Sequence, residues 1–335
     1  MLTRREWLLT AAGAAALAAA RSLQAQASAI ETVRGPVPAD RLGLTLMHEH
    51  VLVDFIGADK VSPSRYDVAE VVRVVLPHLK QAKQLGVETL VECTPAYLGR
   101  DPKLLVRLSE AAGINILTNT GFYGAANDKH VPAFAFKETA EQLASRWIGE
   151  AQRGIDGTPI KPAFMKIGVD AAPLSGFDRK LVRAAALTHR ATGLPIASHT
   201  GSGAAALEEI DLLENEKVAA SAFIWGHAQS EKDPELLLRA ARRGAWLEFD
   251  GLGPKSVARH LELTQIMKRE GLLDRVLLSH DAGWYHVGEA GGGTFRPFDT
   301  LFTTFVPELK RAGFTDGDVR QLLVENPRRA LTRRR

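Results

Sequence analysis

The chain has 335 residues, of which 45% are hydrophobic and 24% charged, with a formal net charge of +3. That balance fits a globular protein and excludes both a disordered charged tail and a surface that binds nucleic acid through bulk charge. Cys93 is the single cysteine, so no intramolecular disulfide framework is possible, and it reads as a small buried hydrophobe on a strand.

The chain opens with MLTRREWLLTAAGAAALAAARSLQAQA, residues 1–27. Arg4 and Arg5 precede an apolar run from Leu8 to Ala20, and Ala25-Gln26-Ala27 forms a small-residue end. This is the anatomy of a secretory signal of twin-arginine type, with an apolar core too short to span a bilayer. Its removal takes away three basic residues and one acidic residue, leaving a net charge of +1. The mature protein is therefore expected in the periplasm or outside the cell, with no membrane or nucleic-acid partner. Residues 28–40 read as a linker, and 41–335 as one folded domain.

Within that domain apolar runs alternate with segments of helical period. The strand candidates in chain order are LTLMHEH, VETLVECT, INILTNT, AFMKIGV, PIASHT, AFIWGHA, AWLEFD and RVLLSHD. Between them lie helical patterns such as DVAEVVRVVLPHLKQAKQLG, DPKLLVRLSEAAG, DRKLVRAAALTHRATG and DPELLLRAARRG, several ending in a glycine stop. Short strands that are apolar on both faces, each followed by a helix, predict a parallel sheet. Eight in succession predict a closed (β/α)8 barrel of the α/β class rather than an open sheet. No glycine-rich dinucleotide fingerprint follows the first strand.

In such a barrel chemistry sits at the C-terminal strand ends. His48 and His50 end the first strand, and alternation sends both to one face with Glu49 turned away. Lys166 ends the fourth strand, His199 the fifth, His227 the sixth and Asp281 the eighth. A lone histidine there is usually a hydrogen-bonded structural residue. Four imidazoles, a carboxylate and a lysine converging on one mouth instead point to a cation, since imidazole and carboxylate suit zinc and its neighbours. His78, His189 and His260 fall in helical patterns and read as surface or packing residues. His280 should face away from Asp281, while His130 and His286 read as solvated loop residues on the active face.

The HxH…K…H…H…D order resembles the phosphotriesterase family of the amidohydrolase superfamily. The resemblance is carried by GLTLMHEH, TPAYLGRD, NTGFY, MKIGVD, GLPIASHT, GHAQ, LLSHDAG and ENPRRAL, and spans essentially the whole mature chain. It implies a (β/α)8 barrel, a homodimer and two divalent metal ions bridged by a carboxylated lysine and a hydroxide. By position His48, His50 and Asp281 would hold the more buried metal, His199 and His227 the more exposed one, and Lys166 would be the bridge. Zinc leads, with cobalt, manganese and iron compatible with the same ligands. Asp281 would also accept the proton of the attacking water.

Two positions depart from the phosphotriesterase pattern. Ser230 stands where an acidic relay residue is expected, and Gly251 follows Asp250 where a histidine or arginine is expected. Tyr123 in NTGFY matches the lactonase branch, in which a tyrosine lies beside the metals. The expected activity is therefore hydrolysis of a small lactone or ester, with incidental action on phosphotriesters. The competing expectation is a periplasmic metal- or ligand-binding homologue with little turnover. A sugar isomerase on the same barrel is disfavoured, because such sites use more carboxylates. Substrate shape would be set by the loops around Phe55, Tyr97, GPKSVARH and WYHVGEAGGGTFRP.

Overall fold

A computed structural model of the chain describes residues 29–333, so the expected export signal lies outside the described residues. No described helix is long and apolar enough to cross a membrane. The stretch expected to be a linker is folded. Strands β1 (Ala29–Thr32) and β2 (Gly35–Pro38) pair antiparallel as a hairpin, and a short helical turn at Ala39–Arg41 follows. The alternation Ile30 and Thr32 inward, Glu31 outward, gives the hairpin one buried face that the linker reading overlooked.

The barrel strands are β3 (Thr45–Val53), β4 (Thr89–Glu92), β5 (Asn115–Leu117) with β6 (Asn119–Thr120), β7 (Phe164–Gly168), β8 (Ile196–His199), β9 (Phe223–Gly226), β10 (Trp246–Phe249) and β11 (Val276–Leu278). Their order is β3-β4-β5 and then β6 through to β11, all parallel, as the sequence predicts. The third strand is interrupted at Thr118. The ring closes where the chain leaving β11 becomes β12 (Ala282–His286) and pairs parallel with β3. Two bonds fasten that seam: the His48 N–H donates to Ser279 Oγ at 2.9 Å, and the Asp281 N–H donates to the His48 carbonyl at 3.0 Å.

The crossover helices are α1 (Val68–Gln84), α2 (Pro102–Ala112), α3 (Ala140–Arg153), α4 (Gly176–Thr192), α5 (Gly203–Asn215), α6 (Pro234–Arg242) and α7 (Val257–Arg269). Their starts are written locally. Asp101 and Asp233 cap helices that begin with proline, and Thr139 with Gln142 and Ser175 with Asp178 form capping boxes.

Strand parity divides the interior into floor and mouth. Met47, Val91, Cys93, Leu117, Phe164, Ala197, Ile224, Trp246 and Leu277 form one buried cluster inside the barrel, sealed from below by Ile30 and Leu331. Their sequence neighbours Leu46, Leu90, Ile116, Met165, Ile196, Phe223, Leu247 and Leu278 belong to the outer core beneath the helices. Two residues beyond the floor, the same inward parity delivers Lys166, His199 and Glu248 towards the mouth. Strand β3 is the exception. Its register shifts between Leu46 and Glu49, so Met47 fills the floor while His48 and His50 still face inward. A bulge beside a functional site is the usual device for re-aiming side chains in this way.

The buried hairpin yields a test. Ile30 is 1% exposed in the floor seal, so Ile30→Ala should lower stability by about 2–4 kcal/mol. Chemical denaturation of the mature protein measures this, and an unchanged midpoint would restore the linker reading.

Candidate metal centre

The cavity at the C-terminal mouth is lined by His48, His50, Lys166, His199, His227 and Asp281, together with Tyr123. All seven residues singled out from the sequence are thus brought together. Cys93 lies at the base, and Phe55 and Trp284 stand at the rim. The enclosed space is small, about 70 Å³.

Each of three imidazoles is fixed by an acceptor at Nδ1. Thr94 Oγ1 lies 2.8 Å from His50 Nδ1. Asp250 Oδ1 lies 2.8 Å from His227 Nδ1, and its other oxygen accepts the His227 backbone N–H at 2.8 Å. His48 Nδ1 faces two carboxylates, Glu248 Oε2 at 2.9 Å and Asp250 Oδ2 at 2.8 Å. Asp250 therefore joins the two imidazoles from behind. Such partners set the tautomer and leave Nε2 for a metal. His227 follows β9 with φ +63°, and Asp281 follows β11 with φ +50°. Both left-handed residues turn the chain out of the strand at the moment a ligand is presented.

The Nε2 side faces the cavity. His48 Nε2 lies 3.0 Å from Lys166 Nζ, and His50 Nε2 lies 3.1 Å from Asp281 Oδ1. The His199 and His227 rings stand edge-on with centroids 4.2 Å apart, and Tyr123 packs edge-on against His199 at 5.0 Å. Asp281 Oδ1 is buried, and the His50 Nε2 beside it does not complete a hydrogen bond. Burial, reinforced by His227 and Lys166, pushes His199 down to about 2. Burial likewise lowers His50 to about 4, against the opposing pull of Asp281. Burial alone would raise Asp281, but His50 and His48 outweigh it and hold the carboxyl below its ordinary range. The neutral imidazoles of His50 and His199, the imidazoles of His48 and His227, an ionised carboxylate with an unsatisfied oxygen and a buried lysine make a donor set that divalent cations would satisfy. His48, His50 and Asp281 form one compact ligand group, and His199 with His227 faces it across Lys166.

Several expectations change. Glu49 does face away, where it binds Ser279 Oγ, the backbone N–H groups of His280 and Ala282, and His280 Nδ1. His130, expected to be solvated, is buried between Phe55 and Tyr123. His286 ends β12 rather than lying in a loop. Tyr97 points away from the metal cavity, into an aromatic cluster with Phe122 and Phe134. At the departure points, Gln229 and Asp250 exchange hydrogen bonds of 2.9 and 3.1 Å. A Cβ at Gly251 would approach Gln229 Nε2 to 2.5 Å, so the missing side chain makes room for this pair. Glu248 and Asp250 stand behind the candidate ligands His48 and His227, positions that the strand-end argument passed over. Inward alternation of Trp246, Glu248 and Asp250 in WLEFD was the available signal.

A family model described as phosphotriesterase family matches residues 28–331. A phosphotriesterase homology protein of Escherichia coli is 31% identical over 86% of this chain and 97% of its own length. An aryldialkylphosphatase of Saccharolobus solfataricus is 27% identical over 86% of this chain and 94% of its own. The solved organophosphorus hydrolase from Deinococcus radiodurans superposes with a TM-score of 0.82 at 28% identity, covering 91% of this chain and 97% of that one.

Two outcomes are expected. Asp250→Asn weakens the acceptor behind both His48 and His227, and metal affinity should fall roughly 10- to 100-fold in equilibrium dialysis with metal analysis. In metal-stripped protein the stability tied to His50 and His199 should be fully present above about pH 6.5 and be lost as pH falls towards 4, because the unfolded chain protonates imidazoles that these two keep neutral when folded. Denaturant midpoints across that pH range, with and without metal, read the effect.

Proposed function

The chain belongs to the phosphotriesterase family and is a hydrolase, and we propose that its reaction is metal-dependent opening of lactones or related esters, with weaker action on phosphotriesters. In this reading His48, His50 and Asp281 hold one divalent cation, and His199 and His227 hold the other. Lys166, carboxylated at Nζ, would serve both as a ligand, because an unmodified ammonium would repel two cations. Zinc is proposed first, and the site is proposed to work outside the cytoplasm after export. Bound there, the cations supply Lewis acidity towards the ester carbonyl and lower the pKa of an attacking water.

The observation that carries the ester reading is the pairing of a free phenol with a single ionised carboxylate across one small cavity. The Tyr123 hydroxyl makes no hydrogen bond among the described residues, and burial, with Asp281 nearby, raises its pKa so that it stays a donor. Tyr123 therefore donates a hydrogen bond to a substrate oxygen. Asp281 accepts the proton of the attacking water and returns it to the departing alkoxide. An alkoxide is a poor leaving group and needs that proton. The acidic leaving groups of activated phosphotriesters do not. With Ser230 and Gly251 at the relay positions, and Gln229 locked to Asp250, a long proton path out of the site is not required for a product that keeps its alkoxide tethered. A cavity of about 70 Å³ also admits a flat carbonyl more readily than a phosphorus centre with three bulky substituents.

Catalytic efficiency at equal metal loading should be higher for lactones than for phosphotriesters. Asp281→Asn should reduce lactone kcat at least about 100-fold, and Tyr123→Phe about tenfold. Lys166→Ala should lower metal content and rate, with partial recovery on adding short carboxylic acids. Phosphotriesters outrunning every lactone, or metal-loaded protein that binds lactones without opening them, would overturn this reading.

A further inference from the structure

The strongest unassigned feature is the cation at the rim. Arg296 exchanges two backbone hydrogen bonds with Gly283, at 3.0 and 2.8 Å, which fixes it opposite the residue two places after Asp281. Only glycine fits at 283: its φ is +91°, and a Cβ would collide with the His50 carbonyl oxygen. From that anchor the Arg296 guanidinium lies 4.8 Å over the Trp284 ring and donates to the Asp281 carbonyl. Trp284, at a left-handed φ of +75°, stands with its ring centroid 5.0 Å from that of His50. A bulky residue in that region is held there by its surroundings rather than by preference. Phe55, 37% exposed, continues the same platform at 5.4 Å from Trp284.

Arg296 is exposed and makes no ion pair among the described residues. Three carboxylates of the rim segments have other partners: Asp54 pairs with Arg65 at 2.6 Å, Glu289 faces His286 at 3.7 Å, and Asp281 turns inward to His50. Because the inner cavity holds about 70 Å³, well under the roughly 300 Å³ of an ordinary ligand pocket, most of any substrate must lie across this rim.

We propose that the natural substrate carries an anionic group, a carboxylate, remote from its ester carbonyl, and that Arg296 receives it while the intervening chain lies on Trp284 and Phe55. The inference rests on the ester-hydrolase reading above and narrows its substrate class. Recognition is by a charge-assisted hydrogen bond from a guanidinium already oriented by its aromatic neighbour.

The test compares a γ-lactone bearing a 3-carboxypropyl substituent with its n-butyl counterpart on the mature metal-loaded protein. The parent should prefer the carboxylate by about tenfold in kcat/KM, mostly through KM, and less at high salt. Arg296→Met should collapse that ratio, and Arg296→Lys should keep part of it. A parent ratio near one, or a ratio unchanged in Arg296→Met, would overturn the proposal and leave Arg296 as a support for the Asp281 backbone. Calorimetric binding of the same pair to parent and Arg296→Met is read alongside. If neither lactone is opened the ester reading fails, and the binding preference still decides the role of Arg296.

Discussion

Strand β3 must do two incompatible things with one alternating pattern. Its inward positions have to close the barrel floor and then, almost at once, supply two imidazoles to the mouth. A regular strand with Met47 inward would turn His48 and His50 out under the helices. The register shift between Leu46 and Glu49 resolves this, and the seam to Ser279 and Asp281 holds the shifted strand in place. Every other part of the site is arranged around it. Glu248 and Asp250 meet His48, Lys166 reaches its Nε2, and Asp281 reaches its partner His50.

The electrostatics follow from burying so many ligands together. Low polarity keeps His50 and His199 neutral, as metal binding demands, and the same burial would make three inward carboxylates costly if nothing balanced them. Glu248 and Asp250 are partly balanced by imidazole N–H groups. Asp281 retains an oxygen without a completed hydrogen bond. Cations in the cavity would answer both needs, since they would take neutral imidazoles and leave no carboxylate uncompensated. The outward Glu49 shows the alternative solution, a carboxylate satisfied by hydroxyl, imidazole and backbone donors.

The departure at Gly251 has a visible structural consequence. The missing side chain at 251 leaves the space that Gln229 occupies, and Gln229 holds Asp250 at both its backbone N–H and the Oδ1 that also accepts from His227. The inner cavity beside this pair is small, about 70 Å³, with Phe55 and Trp284 at its rim.

The amino-acid sequence by itself determined the barrel, its eight strands and the cluster of His48, His50, Lys166, His199, His227 and Asp281. Those are consequences of local period and of strand ends, which short segments encode. Even the capping of the helices is written within four residues. The tertiary structure alone decided the bulge, the folded hairpin below the floor, the burial of His130, and the placing of Arg296 over Trp284. It also decided that Glu248 and Asp250 stand behind His48, about two hundred residues away in the chain. Period-two alternation says which face a side chain takes but not which distant strand it will meet. That pairing is set by how the ring closes, through contacts between segments far apart in the chain, and no local pattern carries it.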